Sequence, residues 1–198
     1  MLLAAVALAS SALPACSSDE APSPEATRTT AVPPGDAAAL EPLVLDEAPS
    51  GFALAADDAG RTGATDLAAA AADAGDPGAA DALSGAGFVR GWQRLWVSED
   101  DEDELFLVVY EFADPGGATT FFERTAGEPA SGGGEGVFEV PGLPGAVGVD
   151  GGGDGLSVVA VIATTGRYLV QVIGNGPAPG PGRGTVVALL SAQVGRLT

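Results

Sequence analysis

The chain has 198 residues, 46% of them hydrophobic and 18% charged, and its 27 acids against 8 bases give a net charge of −19. Every base is an arginine, with no lysine and no histidine, so no basic patch for a nucleic acid can assemble, and the usual general base and commonest transition-metal ligand are missing. A single cysteine excludes an intrachain disulfide and a thiolate metal cluster.

Residues 2–13 (LLAAVALASSAL) form an apolar run of small residues, too short for a permanent membrane-spanning helix. It ends in Leu13-Pro14-Ala15-Cys16, followed at once by Ser17, Ser18, Asp19 and Glu20. This pattern resembles a bacterial lipobox: an apolar residue three before the cysteine, small residues ahead of it, and a polar stretch after it. The resemblance implies that residues 1–15 are a signal peptide, removed so that a lipidated Cys16 becomes the N-terminus. The membrane is then a partner of the chain through Cys16, at the outer face. Met1 runs into leucine with no basic segment, so the natural start is expected upstream of Met1, with a non-lipoprotein signal as the alternative.

Residues 16–41 follow as the lipidated cysteine and a linker of proline, serine, threonine, alanine and acids. This composition offers too little apolar area to offset ordering entropy. As a flexible coil, it spans ~25–30 Å. A single domain is expected over 42–198. Leu43-Val44-Leu45, Phe52 and Leu54 supply its first apolar anchors, as an incoming strand or packed arm. Alanine dominance predicts a helix over 62–74, capped by Thr65 or Thr62. Gly75 stops it, and Asp76-Pro77 opens a second helix running to about Ser84.

Residues 88–97 (FVRGWQRLWV) and 105–112 (LFLVVYEF) read as strands paired in a hairpin with an acidic, solvated tip over 98–104 (SEDDEDE). Asp114 and Pro115 are N-cap and first residue of a helix that sets Ala118, Phe121, Phe122 and Thr125 on one face. A glycine-rich loop over 131–134 precedes a short strand over 136–140 and the turn 141–145 (PGLPG). The glycine-rich run 150–155 reads as a loop. Residues 156–164 and 167–173 flank a tight hairpin turn at Thr165-Gly166. Helix 185–197 closes the chain, with Val186, Leu189, Leu190, Val194 and Leu197 as its apolar stripe. Tight turns make the strands antiparallel. The fold class is therefore α+β, with helices packed on one side of an antiparallel sheet in a two-layer sandwich.

The segments Gly87-Phe88-Val89-Arg90-Gly91-Trp92-Gln93-Arg94-Leu95-Trp96, Tyr110-x-Phe112, Gly117-Ala118 and Val140-Pro141-Gly142-Leu143-Pro144-Gly145 resemble a family of actinobacterial surface lipoproteins of unassigned activity. Some small lipoproteins of that group have PsbP/Mog1p-like folds, which implies an antiparallel sheet packed on helices over about residues 45–198.

Phe88, Arg90, Trp92, Arg94 and Trp96 alternate, so in a strand they share a face. Two arginines between tryptophans could stack a planar or anionic ligand. The plainer reading makes the aromatics core and lets the arginines snorkel or pair with acids. The acidic run 99–104 lacks the glycine turn and ligand spacing of a calcium loop, and is expected to stay solvated. No nucleophile elbow occurs and no histidine can activate a serine, so no catalytic residue, metal or cofactor is expected. Three functions are carried forward. The first is a non-catalytic domain binding an envelope protein or small ligand. The second is a carbohydrate- or lipid-handling domain with a cleft lined by Trp92, Trp96 and Tyr110. The third, least supported, is a carboxylate-dependent hydrolase.

Overall fold

The computed structural model describes residues 36–56, 60–132 and 136–198, with side chains left out over 128–132. The expected signal peptide, Cys16 and linker residues 17–35 lie outside the described residues, as do Gly133 and Gly134 of the expected loop.

Eight strands build one antiparallel sheet: β1 (Phe52–Leu54), β2 (Gly63–Thr65), β3 (Phe88–Ser98), β4 (Glu104–Phe112), β5 (Val137–Glu139), β6 (Val147–Gly153), β7 (Leu156–Thr165) and β8 (Tyr168–Pro177). Their order is β1-β3-β4-β8-β7-β6-β5, and β2 also pairs with β3, beside β1 on the same outer edge. The hairpin of β3 and β4 thus joins, through β8, an up-and-down run of the last four strands. The expected α+β class holds.

β4 shows how the sheet is covered. Its residues from Leu105 to Phe112 are all buried, although successive side chains point to opposite faces. Leu105, Leu107 and Val109 pack into one cluster with Val186, Leu189, Leu190 and Val194 of α4 (Arg183–Leu197). Phe106, Val108, Tyr110 and Phe112 pack into another with Ala70 of α1 (Leu67–Ala74), Leu83 of α2 (Ala79–Gly85) and Phe121 of α3 (Pro115–Gly132). Helices therefore cover both faces of the sheet, where one had been expected. A strand with eight apolar or buried residues in succession requires this, because a face left to water would expose its alternate half.

Local chemistry accounts for the element ends. Asp66 caps α1, its carboxylate accepting from the Ala69 N–H at 2.9 Å. Thr65, one of the expected caps, instead ends strand β2 opposite Gly91. Asp76 accepts from the Gly78 N–H at 2.9 Å and from Arg124 of α3, so it ties the α1–α2 turn to the next helix. Asp114 caps α3 as expected, accepting from the Gly117 N–H at 3.0 Å, but the helix runs on past Thr125 to Gly132. Strand β6 occupies the run that reads as a glycine loop. Gly148 belongs there because a side chain at that position would drive into the Phe138 ring of β5.

Ahead of β1 lies an arm. Asp36 caps a 3-10 helix, Ala37–Leu43, and Leu40 and Val44 are fully buried. The folded part thus reaches back past Pro42 into the segment expected as linker. Gln193 of α4 holds the arm as a neighbouring strand would. Its side-chain amide donates to the Leu43 carbonyl at 2.9 Å, and its carbonyl accepts from the Leu45 N–H at 2.8 Å. Arg196 adds an ion pair to Asp46 at 3.1 Å and a hydrogen bond to the Pro42 carbonyl at 3.1 Å.

Candidate functional site

The arm covers the face of β3 that the sequence singles out. A bulge separates Phe88 from the rest of that face: Phe88 pairs with Phe112, yet Arg90 pairs with Glu111, so two steps on β3 match one on β4. Phe88 is thereby turned to the α1–α3 side, edge-on to Tyr110 at 5.4 Å between ring centres. This corrects the expectation that Phe88 shares a face with the other four. Arg90, Trp92, Arg94 and Trp96 keep the alternation, and both tryptophans join the cluster containing Leu40 and Val44 of the arm.

Tyr110 lies on the other face, among Leu95, Phe106 and Phe121. Trp92, Trp96 and Tyr110 therefore line no common cleft, which corrects that part of the expected ligand face. All three are core side chains, with Trp96 0% and Trp92 8% exposed. Burial, then the negative charge of Asp73, pushes the Tyr110 phenol well above its ordinary pKa.

The arginines separate into two kinds. Arg90 donates to the buried carboxylate of Glu111, which also takes Arg167 at 2.7 Å. Arg90 reaches on to the Asp36 carbonyl at 2.7 Å, closing the start of the arm onto the sheet. Arg61, Arg124, Arg183 and Arg196 likewise each pair with a carboxylate. Arg94 is 8% exposed and makes no ion pair among the described residues. Its Nε–H is buried without an acceptor, and so are the indole N–H groups of Trp92 and Trp96. Among the described residues, three of the four buried side-chain polar atoms left without a partner thus belong to one face of one strand; the fourth, the Thr65 hydroxyl, is on β2.

All three are donors, and a buried donor without an acceptor costs about 1–3 kcal/mol, more when charged. Asp46 of the arm feels the charge of Arg94. Its carboxyl is held below the usual carboxylate range by the Arg196 hydrogen bond first, then by its own backbone N–H, with smaller effects from the charges of Arg196 and Arg94. This face is therefore cationic and donor-rich within a chain of net charge −19. Sequence reading places Arg94 and the tryptophans on one face, but only the packing reveals that their donors are unmatched.

Concavities among the described residues lie away from this face. One of about 740 Å³ sits between the α1–α2 turn and α3, with Asp76 and Arg124 in its wall. Another of about 520 Å³ runs between the arm at Leu45–Ser50 and the α4 residues Gly184, Ala188 and Ala192. At the acidic hairpin tip one carboxylate is bonded within the turn. Asp100 accepts from the Ser98 hydroxyl at 2.5 Å and from the Glu102 N–H at 3.3 Å, and these two bonds, the hydroxyl first, lower its pKa. Among the described residues, no three acidic, cysteine or histidine side chains gather as a metal site, and no helix is long and apolar enough to cross a membrane.

The fold is that of an α+β domain whose antiparallel sheet carries helices on both faces. The chain is similar to the crystal structure of the extracellular domain of PknH from Mycobacterium tuberculosis, with a TM-score of 0.55 and 14% identity. The match covers 83% of this chain and 97% of that one, and it is a likeness of fold. No protein-family model matches the sequence, so none supports the PsbP/Mog1p likeness, and no curated protein matches it.

Proposed function

We propose that the chain is a lipid-anchored extracytoplasmic protein whose domain binds a small ligand or an envelope protein without catalysing a reaction. The observation that carries this reading is the fold comparison. Nearly the whole of a domain described as extracellular, 97% of its length, is matched in fold by 83% of this chain. The only cysteine of the sequence supports the anchor, because Cys16 stands where such a signal needs it. The surface lipoproteins that the β3 and turn motifs resemble support it too.

The physical consequence is a domain held at a surface. Each buried methylene is worth ~0.8 kcal/mol, so one acyl chain holds marginally, and two or three make release negligible. Residues 17–35 then act as spacer, and the arm from Asp36 carries the chain onto β3 and α4. The core position of Trp92, Trp96 and Tyr110 gives the alternative of an aromatic carbohydrate or lipid cleft no support.

Cell fractionation of the native protein and a Cys16→Ser variant tests the proposal. The native protein is expected in the membrane fraction, released by detergent, and the variant outside it. Equal partition of both into the cytosol would overturn the reading.

A further inference from the structure

We propose that the arm-covered face of β3 is an oxyanion site, in which Arg94 takes a carboxylate or phosphate group with the help of the Trp92 and Trp96 indole N–H groups. This deepens the binding-domain reading above and rests on it.

The argument starts from the arginine inventory. Seven arginines lie in the described residues, and six have a carboxylate partner. The exception, Arg94, is also the most buried of the seven. Its Nε–H is buried without an acceptor, which is costly. A structural role would be met by pairing it with one of the many acids of this chain or by an apolar residue of similar volume. Among the described residues neither has happened.

The surroundings narrow the ligand chemistry. On this face Arg94 is flanked by Trp92 and Trp96, two residues to either side, and an indole N–H is a donor only. The guanidinium likewise offers donors only, in a planar fork that fits two oxygens side by side. Unmatched donors with net positive charge call for a group that accepts everywhere and carries negative charge. A neutral sugar would bring donors of its own, and a cation would be repelled. The aliphatic neighbours Leu40, Val44 and Leu107 add a low-dielectric wall, which strengthens a charge-assisted bond once it is made.

The two described acids that bear on this face are already committed. Asp46, whose carboxyl feels Arg94, is committed to Arg196 at 3.1 Å. Glu111 on the same face is committed to Arg90 and Arg167. The arm lies over this face and is fastened to α4 by Gln193 and Arg196.

The sequence supplies its own reporter, because its only two tryptophans are Trp92 and Trp96. Intrinsic fluorescence of the full chain is titrated with sodium phosphate, and separately with sodium acetate and succinate, at constant ionic strength set by sodium chloride. A saturable change with phosphate alone assigns a phosphate group, and with the carboxylates alone a carboxylate. Arg94→Met is expected to lose the response while keeping the native melting temperature or raising it, since a buried donor without an acceptor has been removed. Arg94→Lys keeps charge but not the fork, and is expected to bind about tenfold more weakly. No saturable change with any of the three anions, or an equal change in Arg94→Met, would overturn the site. So would a strongly lowered melting temperature of Arg94→Met without any anion effect on the native chain. Lipidation and membrane partition are read separately, so the anchor can fail while this site stands, and the reverse.

Discussion

Gln193 offers a direct test of how the arm is held. It is fully buried on α4, and its amide serves two main-chain groups of the arm, the Leu43 carbonyl at 2.9 Å and the Leu45 N–H at 2.8 Å. Gln193→Leu preserves most of the volume but removes both partners. Each main-chain group left unpaired costs about 1–3 kcal/mol. Leu43 and Leu45 are half-buried, so the lower part of that range applies, about 2–4 kcal/mol for the pair. For a domain of this size, each kcal/mol moves the melting temperature by roughly 2–4 °C, so a fall of roughly 5–15 °C is expected. Thermal unfolding followed by circular dichroism gives the global loss. Tryptophan emission should shift toward the red already in the folded variant, because Trp92 and Trp96 share a cluster with Leu40 and Val44 of the arm. A variant within about 0.5 kcal/mol of the native protein, the ordinary range of a neutral surface change, with unchanged emission, would refute the assignment of the arm as a fastened part of the fold.

Further outcomes follow from the same structure. Glu111→Gln leaves Arg90 without its charged partner beneath the start of the arm. It should cost about 2–3 kcal/mol in urea unfolding, below the ~3–5 kcal/mol of a fully buried pair because Arg167 is half exposed. At high pH, Tyr110 controls a slope. Its folded pKa is raised by burial first, so the unfolded chain loses the proton sooner, and stability is intact below about pH 10 and falls by ~1.4 kcal/mol per unit above it. Tyr110→Phe should flatten that slope, and an unchanged slope would contradict the burial. At low pH, the lowered pKa of Asp46 means that its contribution is present above about pH 4 and is lost as pH falls through the folded value. Asp46→Asn should therefore reduce the acid sensitivity of the tryptophan signal, measured between pH 5 and 2.

Much of the fold was legible in the sequence because the relevant signals are local. The strands 88–97 and 105–112, the Asp114 cap and the stripe Val186, Leu189, Leu190, Val194 appear in the structure where their patterns put them. The misread parts have identifiable causes. The Phe88 bulge shifts alternation by one residue, and bulges have no fixed sequence mark. β6 was hidden by Gly148, Gly151, Gly152 and Gly153, whose composition says loop while register with Val158–Ile162 of β7 makes a strand. The coverage of both sheet faces was present in the sequence as the unbroken run LFLVVY, a pattern that a one-sided sheet does not need. At the candidate site, alternation grouped Arg90, Trp92, Arg94 and Trp96 correctly. Tyr110 was misplaced because its face depends on β4 register, which only pairing fixes. That Arg94 alone of the described arginines lacks a carboxylate follows from three-dimensional packing and leaves no trace in the residue order.

The most direct measurement on the claim of a surface-anchored domain is the mass of the N-terminal peptide of the native protein purified from its cells. A peptide beginning at Cys16 and carrying the added mass of a diacylglyceryl group is the expected result. A Cys16 with a free thiol, joined to Ala15 in an uncut chain, would contradict it.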